Sequence, residues 1–262
     1  MIELAISNCP NDTFIFDAWI HGKITSSLQP KVHFADIQQL NIWAQSERFP
    51  IIKMSSFCFS KVSAFYRLLP VGAAIGNFGP KLIAKTAFDL SELPSKRVAV
   101  PGFDTTACLL FRSLLPQAKE LIACPYDQIA SRVADGQVDA GVIIHETRFT
   151  YSQAGLVELC DLGTLFSKTY DLPVPLGVIA VHKSLPDATV NQAIESIRSS
   201  IAYARKNPES SLDFVLQHSI EKKQSIVQQH IQTYVTDETV DISQRGYMAI
   251  QRLLSLKAQV NS

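Results

Sequence analysis

The chain has 262 residues, 47% of them hydrophobic and 18% charged, with 24 basic side chains matched by 24 acidic ones. That length suits one large domain or two small ones with a well-packed core. Zero formal net charge without a basic stripe argues against a nucleic-acid partner. No run approaches the ~20 apolar residues that a membrane-spanning helix needs.

Residues 1–6 lack the charged and apolar regions of a secretory signal, so a cytoplasmic protein is expected. The cysteines at 9, 58, 108, 124 and 160 show no CxxC or CxxH spacing. They read as reduced thiols and not as zinc ligands.

In chain order, a strand over 3–7 is broken by Asn8-Cys9-Pro10, and Asn11 or Asp12 then caps a helix to about 20. A strand over 32–35 leads to a helix capped by Asp36. A strand over 50–54 leads to helical periodicity over 57–68. These are repeated β-α units, the pattern of a mostly parallel sheet. Gly72, Gly76, Gly79 and Pro80 mark an irregular loop without the spacing of a dinucleotide fingerprint. A strand follows over 82–87. The polar, proline-bearing stretch 91–96 reads as a crossing between lobes. A second β-α series begins at 97: a strand, a helix over 107–115 capped within Asp104-Thr105-Thr106, then a strand at 120–123, a helix at 126–134 and strands at 141–144 and 157–159. Pro173-Val174-Pro175-Leu176-Gly177 is stiff and reads as the return crossing. A strand over 177–182 is followed by helices at 188–206, 208–218, 221–234 and 243–258.

Two β-α lobes joined by two crossings describe an α/β protein of the two-lobed, periplasmic-binding-protein-like (type II) fold. The expected larger lobe is 1–95 plus 177–262, the smaller inserted lobe is 96–176, and a ligand cleft lies between them. Such folds close around small ligands by hinge motion. The C-terminal helices would either cover a lobe or form a homodimer face, and their amphipathicity does not decide.

Four polar clusters end apolar runs and would converge on that cleft: 7–13, 53–56, 104–107 and 145–151. In an open α/β sheet the carboxyl ends of strands open into the ligand crevice. His145 is the best general base, because an imidazole with an ordinary pKa of ~6.5 is largely neutral near pH 7. Glu146 would point to the opposite face of a strand. Arg148 can clamp a carboxylate with paired hydrogen bonds, or simply salt-bridge to an acid. Thr105 and Thr106, with backbone N–H groups at a helix start, can hold an anion or merely cap. Lys53 can pair with an anion or lie at the surface. Asn11 and Asp12 are ligand contacts or caps, with capping favoured for one of them. The other histidines lack a matching context, and no HExxH-type spacing exists, so no metal is assigned.

The segments Cys9-Pro10-Asn11-Asp12-Thr13-Phe14, Thr105-Thr106-Ala107, Ile143-Ile144-His145-Glu146-Thr147-Arg148-Phe149-Thr150-Tyr151 and Asp171-Leu172-Pro173-Val174-Pro175-Leu176-Gly177 resemble the 1,4-dihydroxy-6-naphthoate synthase family of the futalosine route to menaquinone. The resemblance runs over nearly the whole chain. It implies a carbon–carbon lyase that converts cyclic dehypoxanthine futalosine to 1,4-dihydroxy-6-naphthoate and dihydroxyacetone without a cofactor. It places the catalytic base on His145 and substrate contacts on Lys53, Met54, Ser55, Thr106 and Ala107, with Asn11, Asp12 and Arg148 as further candidates. This chain has Ser7-Asn8 where the family commonly has Ser-Pro, and Lys53-Met54-Ser55-Ser56 where Lys-Leu-Ser-Tyr is usual. The alternatives are a non-catalytic cytoplasmic solute-binding protein for a small carboxylate, or the sister chorismate dehydratase. His145 in its motif separates the first of these from the lyase.

Overall fold

The computed structural model describes residues 1–260. The first part of the chain gives β1 (Ile2–Ser7), α1 (Pro10–Ile20), β2 (Pro30–Ala35), α2 (Ile37–Gln45), β3 (Ile51–Ser55), α3 (Ser56–Val62), β4 (Tyr66–Leu68), β5 (Ala74–Gly76) and β6 (Lys81–Ala84). The middle gives β7 (Arg97–Val100), α4 (Thr106–Leu114), β8 (Glu120–Ala123), α5 (Ile129–Ala134), β9 (Ala140–Ile143), α6 (Thr147–Thr150), β10 (Val157–Asp161) and α7 (Leu162–Tyr170). The last part gives β11 (Val174–His182), α8 (Asp187–Lys206), α9 (Leu212–His218), α10 (Gln224–Tyr234), α11 (Asp237–Val240) and α12 (Gln244–Val260).

Two mixed sheets result. The first runs β2-β1-β3-β11-β4, with β5 also on β11; the second runs β10-β6-β9-β7-β8. β1 is parallel to β2 and β3, whereas β11 returns antiparallel to β3. Side chains alternate across β1. Leu4 and Ile6 enter a core with α1 and α8, while Ala5 enters one with Leu40, Ile52 and Met54. Both faces of the sheet are covered, which is why its central strands read as continuous apolar runs. Capping fixes the helix starts: Asp36 accepts from Gln38 N and Gln39 N, and Thr105 accepts from Cys108 N. Among the described residues no helix is long and apolar enough to cross a membrane.

Three segments depart from the sequence expectation. Helix α3 stops at Val62, and 66–68 becomes a strand antiparallel to β11. A short apolar run fits either period, and here sheet pairing decides. The segment 173–177 is no free crossing, because Val174 and Pro175 already pair with β5 across a register shift. Proline is tolerated beside such an irregularity because its missing N–H is not needed there. The strand at 81–84, expected in the lobe 1–95, pairs instead with β9 and β10 in the second sheet. The chain therefore changes sheets at 77–80, ahead of 91–96, where Asp89 and Glu92 cap a short 3-10 turn.

The C-terminal helix spans both sheets. Ile250 joins the core of the first, while Leu253 and Leu256 pack with Leu109, Leu110 and Phe166 on helices of the second. The crossing at 77–80 is held against the start of α7 by two glycines. A Cβ on Gly79 would lie 2.5 Å from Gly163 Cα, and one on Gly163 would lie 2.3 Å from Gly79 N. Backbone, not a yielding side chain, is what each Cβ would meet. Gly79→Ala is therefore expected to lower the unfolding free energy in urea by ~1–3 kcal/mol, the usual cost of overpacking. An unchanged midpoint would show that the two segments part freely.

Candidate functional site

A cavity of about 620 Å³, counting its open mouth, lies between the two sheets. The enclosed space open to a water-sized molecule is far smaller, about 80 Å³. Its wall is mostly apolar, and all four polar clusters reach it: Ser7 and Asp12, Lys53 and Ser55, Thr105 and Thr106, and His145.

The floor is an ion pair. Lys53 Nζ donates to Asp12 Oδ1 at 2.9 Å and to the Gly72 carbonyl at 3.2 Å, while Ser7 Oγ donates to Asp12 Oδ2 at 2.6 Å. Lys53 is 4% exposed and Asp12 0%. Lys53 is thus neither a surface lysine nor an uncommitted cation. The expected capping by Asn11 or Asp12 is not found. Helix α1 starts from Cys9 with Pro10 in its first turn and no side-chain cap, because proline suits that position and needs no N–H partner. This frees Asn11 and Asp12 for the interior. Asn11 Nδ2 donates to Asp12 Oδ1 at 2.8 Å, and the carboxylate sits where the α1 dipole favours negative charge.

Strand alternation sorts 53–55. Lys53 and Ser55 face the cavity, while Met54 is turned to the opposite face and packs in the core of the first sheet. Met54 therefore does not line the cavity. The Ser55 hydroxyl donates to the Asp104 carbonyl at 2.9 Å and accepts from Cys58 N. Thr106 Oγ1 donates to the Leu176 carbonyl and accepts from Phe57 N. Both hydroxyls are spent on holding the two sheets together. The free donors at this wall are the backbone N–H groups in the first turn of α4, at Thr106 and Ala107, which line the cavity. A helix start presents such groups to an anion.

His145 follows β9 with φ +55°. A non-glycine residue there is uncommon, though histidine is among those that adopt it, and such backbone strain concentrates at functional sites. The turn rotates the ring into the cavity and starts α6 two residues later. Cys9 Sγ lies 3.2 Å from Nδ1 and 3.6 Å from Nε2. Tyr126 meets the ring edge-on at 4.8 Å, and His230 stacks at 6.3 Å. Burial lowers the His145 pKa to about 4, with Asp12 opposing and Lys53 assisting. The imidazole is neutral at pH 7 and can accept a proton. Glu146 faces a separate recess with Thr150 and Glu221, and burial raises its carboxyl to about 6. Arg148 does not line the cavity; its guanidinium pairs with Asp161 at 3.2 Å and also meets the Tyr234 phenol, which does line it.

Several site residues were not singled out from the sequence. His230 is fully buried; its Nε2 donates to Asn11 Oδ1 at 3.0 Å, and its ring stacks on Tyr234 at 4.3 Å. Burial holds the His230 pKa well below the ordinary value, and pushes the Tyr234 phenol up to about 12. Their spacing of four on α10 puts both on one helix face, the one signal that was available. Cys9 is 4% exposed. Burial, then the carboxylates of Glu146 and Asp12, keep its thiol protonated.

The chain matches the menaquinone biosynthesis family over residues 2–259. It is 38% identical over 255 residues to a 1,4-dihydroxy-6-naphthoate synthase of Thermus thermophilus, covering 97% of this chain and 93% of the relative. It is 37% identical over 263 residues to the same-named protein of Streptomyces coelicolor, covering 98% and 93%. A crystal structure of an Archaeoglobus fulgidus protein superposes with a TM-score of 0.94 at 30% identity, covering 99% of this chain and 97% of the other. A Candida albicans protein described as having the generic periplasmic binding protein fold superposes with a TM-score of 0.71 at 11% identity, covering 99% and 90%. The expected periplasmic-binding-protein-like fold is borne out.

The buried pair makes a stability prediction. Asp12→Ala would leave the Lys53 ammonium without its counter-charge and is expected to cost ~3–5 kcal/mol in urea unfolding. The double variant Asp12→Asn, Lys53→Met should recover most of that loss, and a double variant no more stable than Asp12→Ala would show that the pair is not the cause.

Proposed function

The chain belongs to the menaquinone biosynthesis family, and within it we propose that this enzyme converts cyclic dehypoxanthine futalosine to 1,4-dihydroxy-6-naphthoate and dihydroxyacetone, with His145 as general base. The observation that carries the proposal is a neutral imidazole, held near pKa 4 by burial, at the edge of a mostly apolar cavity. A planar ring system suits such a wall, and its carboxylate suits the N–H groups of Thr106 and Ala107 at the start of α4. Lys53 acts through Asp12: it keeps the floor neutral, so no fixed cation competes for the carboxylate or for the His145 proton.

The chemistry then asks little of the protein. Carbon–carbon bonds break at the spiro sugar while a ring becomes aromatic, and aromatisation supplies the driving force. The protein orients the substrate, excludes water and takes a proton. A positioned base is typically worth ~10²–10⁴-fold. A solute-binding protein with this fold would have no use for a strained, desolvated histidine facing the ligand.

Purified wild type and His145→Gln, each given cyclic dehypoxanthine futalosine, should differ in naphthoate formation by ~10²–10⁴-fold in kcat, with substrate affinity changed little. Mass spectrometry reads the product and calorimetry the binding. Binding without turnover by the wild type would support the solute-binding reading. Turnover of chorismate in place of the cyclic compound would make the chain a dehydratase, and equal rates for both proteins would remove His145 from the chemistry.

A further inference from the structure

We infer that Tyr234 is a second catalytic residue, whose O–H donates a hydrogen bond to the substrate oxygen that gains charge as His145 takes a proton; this deepens the proposed function and rests on it. Five hydroxyl side chains line the cavity: Ser7, Ser55, Thr105, Thr106 and Tyr234. Four of them already donate within the protein. Ser7 Oγ donates to Asp12, Ser55 Oγ to the Asp104 carbonyl, Thr105 Oγ1 to the Gly102 carbonyl at 2.7 Å and Thr106 Oγ1 to the Leu176 carbonyl. Among the described residues, the Tyr234 phenol is the one hydroxyl of this cavity that has no acceptor.

Its neighbours hold the phenol in place and leave its hydrogen free. Tyr234 is 6% exposed. His230 stacks on its ring at 4.3 Å, and Phe78 meets it edge-on at 4.5 Å. Arg148 meets the phenol oxygen and is itself held by Asp161. A guanidinium has donors and no acceptor, so towards Arg148 the phenol oxygen can only accept. The phenol's own hydrogen is then left for a ligand. Burial pushes the phenol up to about 12, so it keeps that hydrogen at pH 7, while Arg148 opposes the push. His230 also stacks on His145, at 6.3 Å. Donor and base thus flank one imidazole and line the same cavity.

The reaction needs such a donor. When His145 removes a proton and the carbon–carbon bond breaks, the electron pair comes to rest on an oxygen of the ring that is becoming aromatic. The proton that His145 takes balances the one that this oxygen finally gains as a hydroxyl, so nothing is oxidised or reduced overall. A neutral base cannot stabilise the charge on that oxygen. A fixed O–H in a mostly apolar cavity can, and a donor so placed acts on the transition state more than on the bound substrate.

The test uses Tyr234→Phe, which removes the O–H and keeps the ring against His230 and Phe78. Its kcat on the cyclic compound should fall by ~10²–10³-fold, the usual loss for one such donor, with KM little changed. Arg148→Met should lower kcat roughly tenfold in the wild type and add no further loss in Tyr234→Phe. Independently of turnover, calorimetry compares two probes, 6-carboxy-1-tetralone and the same bicyclic acid without its ketone. Wild type should bind the ketone roughly fivefold to tenfold more tightly, and Tyr234→Phe should bind both alike. Wild-type kcat in a folded Tyr234→Phe would overturn the inference. So would equal affinity of the wild type for the two probes, or binding of neither. A wild type that prefers the ketone but gives no naphthoate would end the functional reading and leave the phenol as the donor of this cavity.

Discussion

The ion pair between Lys53 and Asp12 is the constraint from which the site is built. It ties β3 to the start of α1 in a place where neither charge can be left alone. An unpaired ammonium or carboxylate at that depth would cost several kcal/mol, so the strand and the helix cannot separate while the protein is folded. Ser7 and Asn11 complete the carboxylate's partners, and their positions in turn place Cys9 and His230. The pair's two charges act on His145 in opposite senses. Asp12 raises the His145 pKa and Lys53 lowers it, which leaves burial as the dominant influence. The imidazole stays neutral through its burial, with the charge-balanced pair beneath it.

The two sheets meet over a second set of bonds on the opposite wall. The Asp104 carbonyl accepts from Ser55 Oγ and Asn41 Nδ2, and its carboxylate accepts from Gln45 and Lys61. Thr106 bridges Phe57 and Leu176. Helix α12 straps the outside, with Ile250 in one core and Leu256 in another. This wall is rich in hydrogen bonds, whereas the wall at Cys9 and His145 is joined by the thiol, by the rings of His145 and Phe149 on His230, and by Arg148 beside Tyr234.

Much of this was legible in the sequence where a signal is local. Asp36 and Thr105 cap helices as their positions announce. The apolar run that ends at His145 does end a strand, and the four polar clusters do converge. What was not legible depends on chain segments far apart. Cys9 meets His145 across 136 residues, and Asn11 meets His230 across 219; no spacing rule anticipates either. Arg148 could be a carboxylate clamp or a salt-bridge partner from its position, and it pairs with Asp161. Lys53, Met54 and Ser55 read as one contact segment, yet strand alternation removes Met54. The sheet to which 81–84 belongs was misjudged because a glycine-rich loop and a true crossing look alike until the Gly79–Gly163 contact is seen.

Burial keeps His145 neutral, and the pH dependence of kcat/KM tests most directly whether it acts as the proposed base. The acid limb of that profile reports the base in the free enzyme. Glu146, raised to about 6 by burial, also titrates in this range, so the profile should be recorded for wild type and for Glu146→Gln. Glu146→Gln is expected to keep full activity on the cyclic substrate down to about pH 5 and to lose it through an apparent pKa near 4. An acid limb near the ordinary histidine value of ~6.5 in that variant would contradict it, because it would mean that His145 is hydrated and charges as any surface imidazole does.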